Sequence, residues 1–131
     1  MKKIAALDIG LKRIGVALCL MEGVIIPQEA ILRKNRVQAA REVDQFLQNW
    51  QIELLVVGIP KGGASEEEMD RRIKHFISLL DFSKEVFFVD EYGSSIEAKT
   101  AMRGINRQKR DGKIDSMAAK IILERYIAMK N

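Results

Sequence analysis

Residues 3–20 read KIAALDIGLKRIGVALCL. A short apolar run from Lys3 to Ile9 closes on Asp-Ile-Gly, and a second runs from Arg13 to Leu20. Apolar runs this short, punctuated by Gly, read as buried strands. The turn Met21-Glu22-Gly23 leads into a third strand, Gly23 to Leu32, so the first three elements form a meander. Pro27 within the third run predicts an edge position, because Pro has no N–H to give to a ladder.

Downstream the period changes. Asn35 is placed to cap a helix running to about Trp50, with Ala40, Val43, Phe46, Leu47 and Trp50 on one face. Leu54 to Ile59 is continuously apolar, as a central parallel strand must be, and Gly58-Ile59-Pro60 ends it. Ser65 with Glu68 has the spacing of a capping box, and Met69, Ile73, Phe76, Ile77 and Leu80 continue one helical face. Val86 to Val89 is a further buried strand, followed by Asp90 and Glu91. Ser94 with Glu97 predicts another capped helix that stops near Gly104. Gly104 to Gly112 is polar and basic and reads as a loop; Ile114, Met117, Ala118, Ile121, Ile122 and Tyr126 then mark a final amphipathic helix.

The order is β-β-β-α-β-α-β-α-α. A meander followed by right-handed crossovers gives an α/β class with a mixed five-stranded sheet and helices on its faces. That is the element order of the ribonuclease H-like fold, with expected strand order 3-2-1-4-5 and strand 2 antiparallel to the rest.

Composition narrows the function classes. The 131 residues suit one domain, expected over residues 1–131. A 47% apolar content is enough for a core, and 2 Pro and 9 Gly argue against a disordered or fibrous chain. No apolar run reaches the ~20 residues of a membrane helix, and the run behind Lys2 and Lys3 breaks at Asp8, unlike a signal peptide. One cysteine, Cys19, makes an internal disulfide impossible, and no Cys/His cluster offers a structural zinc site. A reduced, cytoplasmic setting without membrane attachment is the expectation.

The 22 Lys and Arg exceed the 18 Asp and Glu by four, and Ile96 to Lys113 alone carries that excess. Its basic residues are Lys99, Arg103, Arg107, Lys109, Arg110 and Lys113, opposed by Glu97 and Asp111. Such a run is either a solvated helix face with a loop or a phosphate-contacting patch.

Three acids sit where a core pattern does not need them: Asp8 closing the first strand, Glu91 after the fifth, and Asp115 in the first turn of the last helix. Ligands of open α/β sheets bind outside the carboxyl ends of the strands, the edge that holds Asp8 and Glu91. Strand ends two positions apart are separated by ~10 Å, within reach of a Glu side chain and an ion. Ala118 and Ala119 give the last helix a small-residue face for close approach. Converging carboxylates either share a proton or bind a divalent cation, and hard oxygen donors suit Mg²⁺ or Mn²⁺. Two such ions can promote phosphodiester hydrolysis. Each acid also has a plain structural reading, Asp8 as a turn residue and Asp115 as a partner of its helix dipole. Glu66, Glu67 and Glu68 fit a helix N-terminus better than a metal cluster. His75, the sole histidine, is expected to be structural, and Cys19 to be a buried strand residue.

Four segments resemble one family. Asp8-Ile-Gly-Leu-Lys-Arg-Ile-Gly-Val-Ala17 is similar to the opening motif of the bacterial YqgF/RuvX family. Val57-Gly-Ile-Pro60 resembles its second motif. Asp90-Glu91 with Ser94-Ser95-Ile96-Glu97-Ala98 resembles its third. Lys113-Ile-Asp-Ser-Met-Ala-Ala119 with Ile121-Ile-Leu-Glu124 resembles its last. The resemblance spans nearly the whole chain in order. It implies a ribonuclease H-like nuclease, a family assigned both as Holliday-junction resolvase and to maturation of the 5′ end of 16S ribosomal RNA. It implies Asp8, Glu91 and Asp115 as metal-binding acids, and a basic set of substrate contacts. One position departs: the family usually has Arg after the Asp-Glu pair, and here it is Tyr92, followed by Gly93. That cation is then either missing or supplied from elsewhere, as by Arg110 or Lys113.

The leading expectation is a nuclease using two Mg²⁺ or Mn²⁺ ions on structured nucleic acid, a ribosomal RNA precursor first and branched DNA second. Lys12, Arg13, Ser94, Arg107, Arg110 and Lys113 are the expected nucleic-acid contacts, on a monomer or weak homodimer. The competing classes are a non-catalytic nucleic-acid-binding module and an actin-like phosphotransferase, whose first motif also reads Asp-x-Gly after a strand. The latter needs two such domains around its nucleotide, and this chain has room for one.

Overall fold

The computed structural model describes residues 2–60, 65–90 and 112–130, the side chains of the last segment from Ser116 onward. Alternation along the first strand sets the layers. In β1 (Ile4–Ile9), Ala5, Leu7 and Ile9 join one core, while Ile4 and Ala6 join a second core on the opposite face. Asp8 has the parity of Ile4 and Ala6.

The chain then turns tightly into β2 (Arg13–Met21). The Gly10 N–H donates to the Arg13 carbonyl at 2.9 Å. A Cβ on Gly10 would lie 2.7 Å from that oxygen, so the turn needs a residue without one. Gly23, at φ +80°, makes the turn into β3 (Val24–Leu32). β2 is antiparallel to both neighbours, and the β2–β3 register shifts between Ile14 and Val16 and again between Leu18 and Met21. β4 (Leu54–Ile59) is parallel to β1 and to β5 (Glu85–Asp90). The sheet order is β3-β2-β1-β4-β5, as the sequence predicts, with Pro27 on an edge strand. All six residues of β4 are buried, which is what a strand covered on both faces requires.

The first face is covered by α1 (Arg36–Asn49) and α2 (Glu66–Ser78). Asn35 does cap α1: its side chain accepts the Gln38 N–H at 2.7 Å, and Gln38 Oε1 accepts the Asn35 N–H at 3.3 Å. Ala39, Ala40, Val43 and Leu47 form its buried face. Trp50, expected on that face, is 40% exposed, because the helix has ended and Trp50 is its C-cap. The capping box expected at Ser65 does not form. Ser65 has φ −102° and ψ 17° rather than extended backbone, so its hydroxyl caps nothing. Glu68 instead pairs with Arg72 at 2.7 Å, and three glutamates in the first turn complement the helix dipole. Ile73 and Phe76 carry the packing of α2.

The second face is covered by α3 (Gly112–Lys130), through Ala119, Ile122, Leu123 and Tyr126. Ala118 and Ala119 are buried, the small-residue approach the sequence predicts. The Tyr126 ring meets Phe87 of β5 edge-on, centroids 5.0 Å apart. The helix expected from Ser94 to Gly104 and the loop up to Asp111 lie outside the described residues; Gly112, expected to close that loop, opens α3. Among the described residues no helix is long and apolar enough to cross a membrane.

Candidate active site

β1, β4 and β5 are parallel, so their carboxyl ends share one edge of the sheet. Asp8 stands on it, half-buried, on the α3 side. Its cross-strand partner is Gly15. Directly opposed residues of an antiparallel pair place their side chains on the same face, close together. A glycine opposite Asp8 therefore puts no β2 side chain beside its carboxylate.

The first turns of α3 are fixed to the same point. Ser116 is fully buried, and its Oγ accepts the Val16 N–H at 3.2 Å. Val16 follows Gly15, and the β2–β3 register shifts between Ile14 and Val16. At that irregularity a side chain of α3 accepts from the strand backbone. Asp115 precedes Ser116, so its Cα is ~3.8 Å from that of a residue anchored beside the Asp8–Gly15 pair. The Asp115 backbone belongs to α3; its side chain lies outside the described residues.

Glu91 also lies outside the described residues. Asp90, the last residue of β5, is exposed, and two strand spacings separate β5 from β1, ~10 Å. The Asp90 carbonyl accepts Arg125 Nη1 at 3.0 Å, which ties this strand end to α3. Of the expected basic contacts, Lys12 is exposed and Arg13 half-buried, both at the turn that leaves this edge. Lys113 contributes its backbone to the first turn of α3; Ser94, Arg107 and Arg110, like Tyr92, lie outside the described residues.

Two residues that position this edge escape sequence reasoning: Ser116 and Arg125. Ser116 does leave a signal, as the polar member of a helical face that continues through Ala119 and Leu123. Arg125 leaves none, being one more cation on a charged helix. The discounted candidates sit elsewhere. Glu66, Glu67 and Glu68 occupy the first turn of α2, and exposed His75 its last. Cys19 is buried opposite Ile4, at the far end of β2 from Asp8, and its Sγ donates to the Met21 carbonyl at 3.3 Å. Burial raises the Cys19 thiol pKa, so it is a poor nucleophile.

Residues 2–129 match the RuvX family, described as Holliday junction resolvase. A protein of Sulfurovum sp., named "Putative pre-16S rRNA nuclease", is 61% identical over 127 residues, covering 97% of this chain and 99% of its own. A Campylobacter jejuni protein of the same name is 57% identical over 124 residues, covering 95% of this chain and 97% of its own. Among solved structures, Thermus thermophilus RuvC in complex with a Holliday junction substrate superposes with a TM-score of 0.62 at 14% identity, over 100% of this chain and 98% of that one. The fowlpox virus Holliday junction resolvase gives 0.53, also at 14% identity, over 98% and 99%. At such identity these two share the fold.

Proposed function

This chain belongs to the RuvX family, and from that premise we propose that it is a nuclease hydrolysing phosphodiester bonds in structured nucleic acid, with the 5′ end of the 16S rRNA precursor as its substrate. The observation that carries the reading is Asp8: a carboxylate on the carboxyl edge of a ribonuclease H-like sheet, opposite a glycine, beside the anchored start of the helix that bears Asp115. One domain, residues 1–131, is proposed to hold the whole site.

Asp8, Glu91 and Asp115 are the proposed metal ligands and catalytic carboxylates. The donor set fits a hard cation. Cys19 lies at the other end of its strand and His75 on the other side of the sheet, so neither competes at this edge. Two Mg²⁺ or Mn²⁺ ions bound there would supply Lewis-acid stabilisation of the charge that develops on the phosphodiester. The chain's own contribution is placement. Asp8 holds its carboxylate on a rigid central strand, and Ser116 fixes α3 against the same strand pair. Lys12 and Arg13 neutralise backbone phosphates as they approach, with Arg107, Arg110, Lys113 and Ser94 proposed to extend that contact. Water adds to phosphorus and the bond to one sugar oxygen breaks. Phosphate contacts carry no sequence information, so selectivity comes from the shape of the nucleic acid.

Branched DNA is the second reading, favoured by the likeness in fold to RuvC. The test is cleavage by wild type and Asp8→Asn of an RNA spanning the 5′ boundary of 16S rRNA, beside a four-way DNA junction, with Mn²⁺ and with chelator. Metal-dependent cutting of the RNA that is lost in the variant supports the proposal. Cutting of the junction alone moves the substrate to branched DNA. Binding without cutting by wild type leaves a binding module.

A further inference from the structure

The sheet has a second feature at the same edge, on the face away from Asp8. α1, α2 and the β1–β2 turn enclose a cleft of about 520 Å³. Four guanidinium groups line it, Arg33, Arg36, Arg71 and Arg72, together with His75. Among the described residues no carboxylate lines it, and exposed Glu68 meets it through Arg72. We infer that this cleft is a second phosphate-binding surface, which takes the sugar-phosphate backbone of the nucleic-acid substrate on the side of the sheet opposite the carboxylates. The inference rests on the nuclease reading for the identity of the polyanion.

Three observations carry it. The first is an excess of positive charge, which Glu68 offsets only at Arg72 among the described residues. Collecting like charges around one cleft costs free energy that a bound polyanion returns. Arg33 registers that cost: its pKa lies below the ordinary value, through burial first and then through the charges of Arg36 and Arg72. The second is preorganisation. Arg33 is held by a hydrogen bond from Nη1 to the Gly10 carbonyl at 2.9 Å, and its guanidinium lies 5.2 Å from the centre of the Phe76 ring. A guanidinium already fixed in place loses little entropy when it meets a phosphate. The third is continuity. The Arg33 N–H donates to the Lys12 carbonyl at 2.8 Å, so the cleft wall is joined to the turn that carries Lys12 and Arg13. Gly10 belongs both to that turn and to the cleft lining. A strand crossing the edge at Gly10 would pass from Lys12 and Arg13 over Leu11 to the arginines. Guanidinium groups suit this role, since each can give two parallel N–H bonds to one phosphate.

The test is binding of a fluorescein-labelled RNA hairpin with a single-stranded 5′ extension, by anisotropy at several salt concentrations. All proteins carry Asp8→Asn, and chelator is present, so no turnover intervenes. Arg36→Gln with Arg71→Gln removes two exposed cleft cations. Arg41→Gln with Lys84→Gln removes the same charge from exposed positions outside the cleft. Thermal melting checks that each variant folds. The cleft variant should lower the slope of log K against log [salt] by about 1 for each Arg removed, and the control should leave it nearly unchanged. Equal slopes for the cleft variant and the control overturn the inference, whether or not the wild type cuts RNA. A weakened cleft variant beside a wild type that never cuts overturns the nuclease reading and keeps the cleft. The same series on a four-way DNA junction covers a substrate that is DNA. A wild type that binds neither probe overturns both.

Discussion

Ser116→Ala should destabilise this protein more than loss of any other serine hydroxyl among the described residues. The Oγ accepts the Val16 N–H at 3.2 Å, and Ser116 is fully buried. Deleting the oxygen strands a backbone N–H in a site too closed for water. An unsatisfied buried donor costs about 1–3 kcal/mol. At about 2.1 cal/mol/K per residue, unfolding 131 residues releases about 0.28 kcal/mol/K, so each kcal/mol lowers Tm by about 4 °C. The expected fall is therefore about 4–11 °C, read by circular dichroism at 222 nm or by calorimetry. A serine exposed on α1 or α2 has no such role; Ser78, which bonds the His75 carbonyl at the end of α2, is the natural comparison and should shift Tm by little. Cleavage should fall further than the loss of folded protein explains, because the same bond holds the start of α3, and so Asp115, against β2. A Ser116→Ala protein that melts within about 1 °C of wild type would refute the reasoning, since it would mean that the Val16 N–H has another partner.

Three further outcomes follow from the geometry. In chelator, Asp8→Asn should be neutral or stabilising, as it relieves repulsion among the proposed carboxylates; with Mn²⁺ at ~100 times its Kd, wild type alone should gain about 2.7 kcal/mol, and a melt without that divergence sinks the metal assignment. Asp44 gives a pH signature. Burial lifts its carboxyl above the ordinary 3.8, while the Asp81 N–H, donating to both oxygens at 3.0 and 3.1 Å, pulls it back and the Asp81 charge adds to the rise. A folded-state pKa above the unfolded value favours the fold below pH 3.8, and that increment is lost as pH rises through the folded pKa. The Tm of wild type relative to Asp44→Asn should therefore decline across that window and stay level up to pH 7; a rise would reverse the sign of the argument. Ala119→Leu puts a branched side chain between α3 and the sheet, where Ala119 has no exposed surface, and should cost about 1–3 kcal/mol in urea unfolding; an unchanged midpoint would show that α3 is not seated as described.

The architecture was largely legible because its causes are local. The run at Leu54–Ile59 is apolar at every position since both faces of β4 are covered, and Pro27 marks an edge because it has no N–H. Asn35 reads as a cap from its place just before an apolar helical period. The failures are also physical. Ser65 has the right partner at the right spacing, yet its backbone angles deny the hydroxyl its donor. Trp50 continues the apolar period of α1 by one step beyond the point where the helix stops. The site was legible as three acids expected to converge at one sheet edge, but not in what joins them. What brings Asp8 and the start of α3 together is a side-chain bond across a sequence separation of 100 residues, which no local pattern encodes. The cationic cleft was invisible for the same reason: Arg33 and Arg36 come from one end of α1, Arg71 and Arg72 from α2, and neither pair looks unusual along the chain.

The two anchors of α3 show why this helix sets the span of the site. Ser116 grips β2 at Val16, and Arg125 grips the end of β5 at the Asp90 carbonyl. The nine residue steps from Ser116 to Arg125 rise about 13.5 Å along a helix. In the sheet order, β2 and β5 are three strand spacings apart, about 14.5 Å. The stretch of helix between the anchors therefore nearly matches that span, and the reach of the Arg125 side chain covers the remainder. The carboxyl ends of β1 and β4 lie between those anchors, and Asp8 stands at the first of them. Nothing in β1 or β5 alone holds Asp8 at a fixed distance from the strand end that precedes Glu91, because hydrogen bonding through β4 fixes spacing but leaves twist free. A rigid helix bonded at both ends of that span removes the freedom. By this reasoning α3 sets how far Asp8 stands from the end of β5, the separation that the proposed carboxylates would have to span.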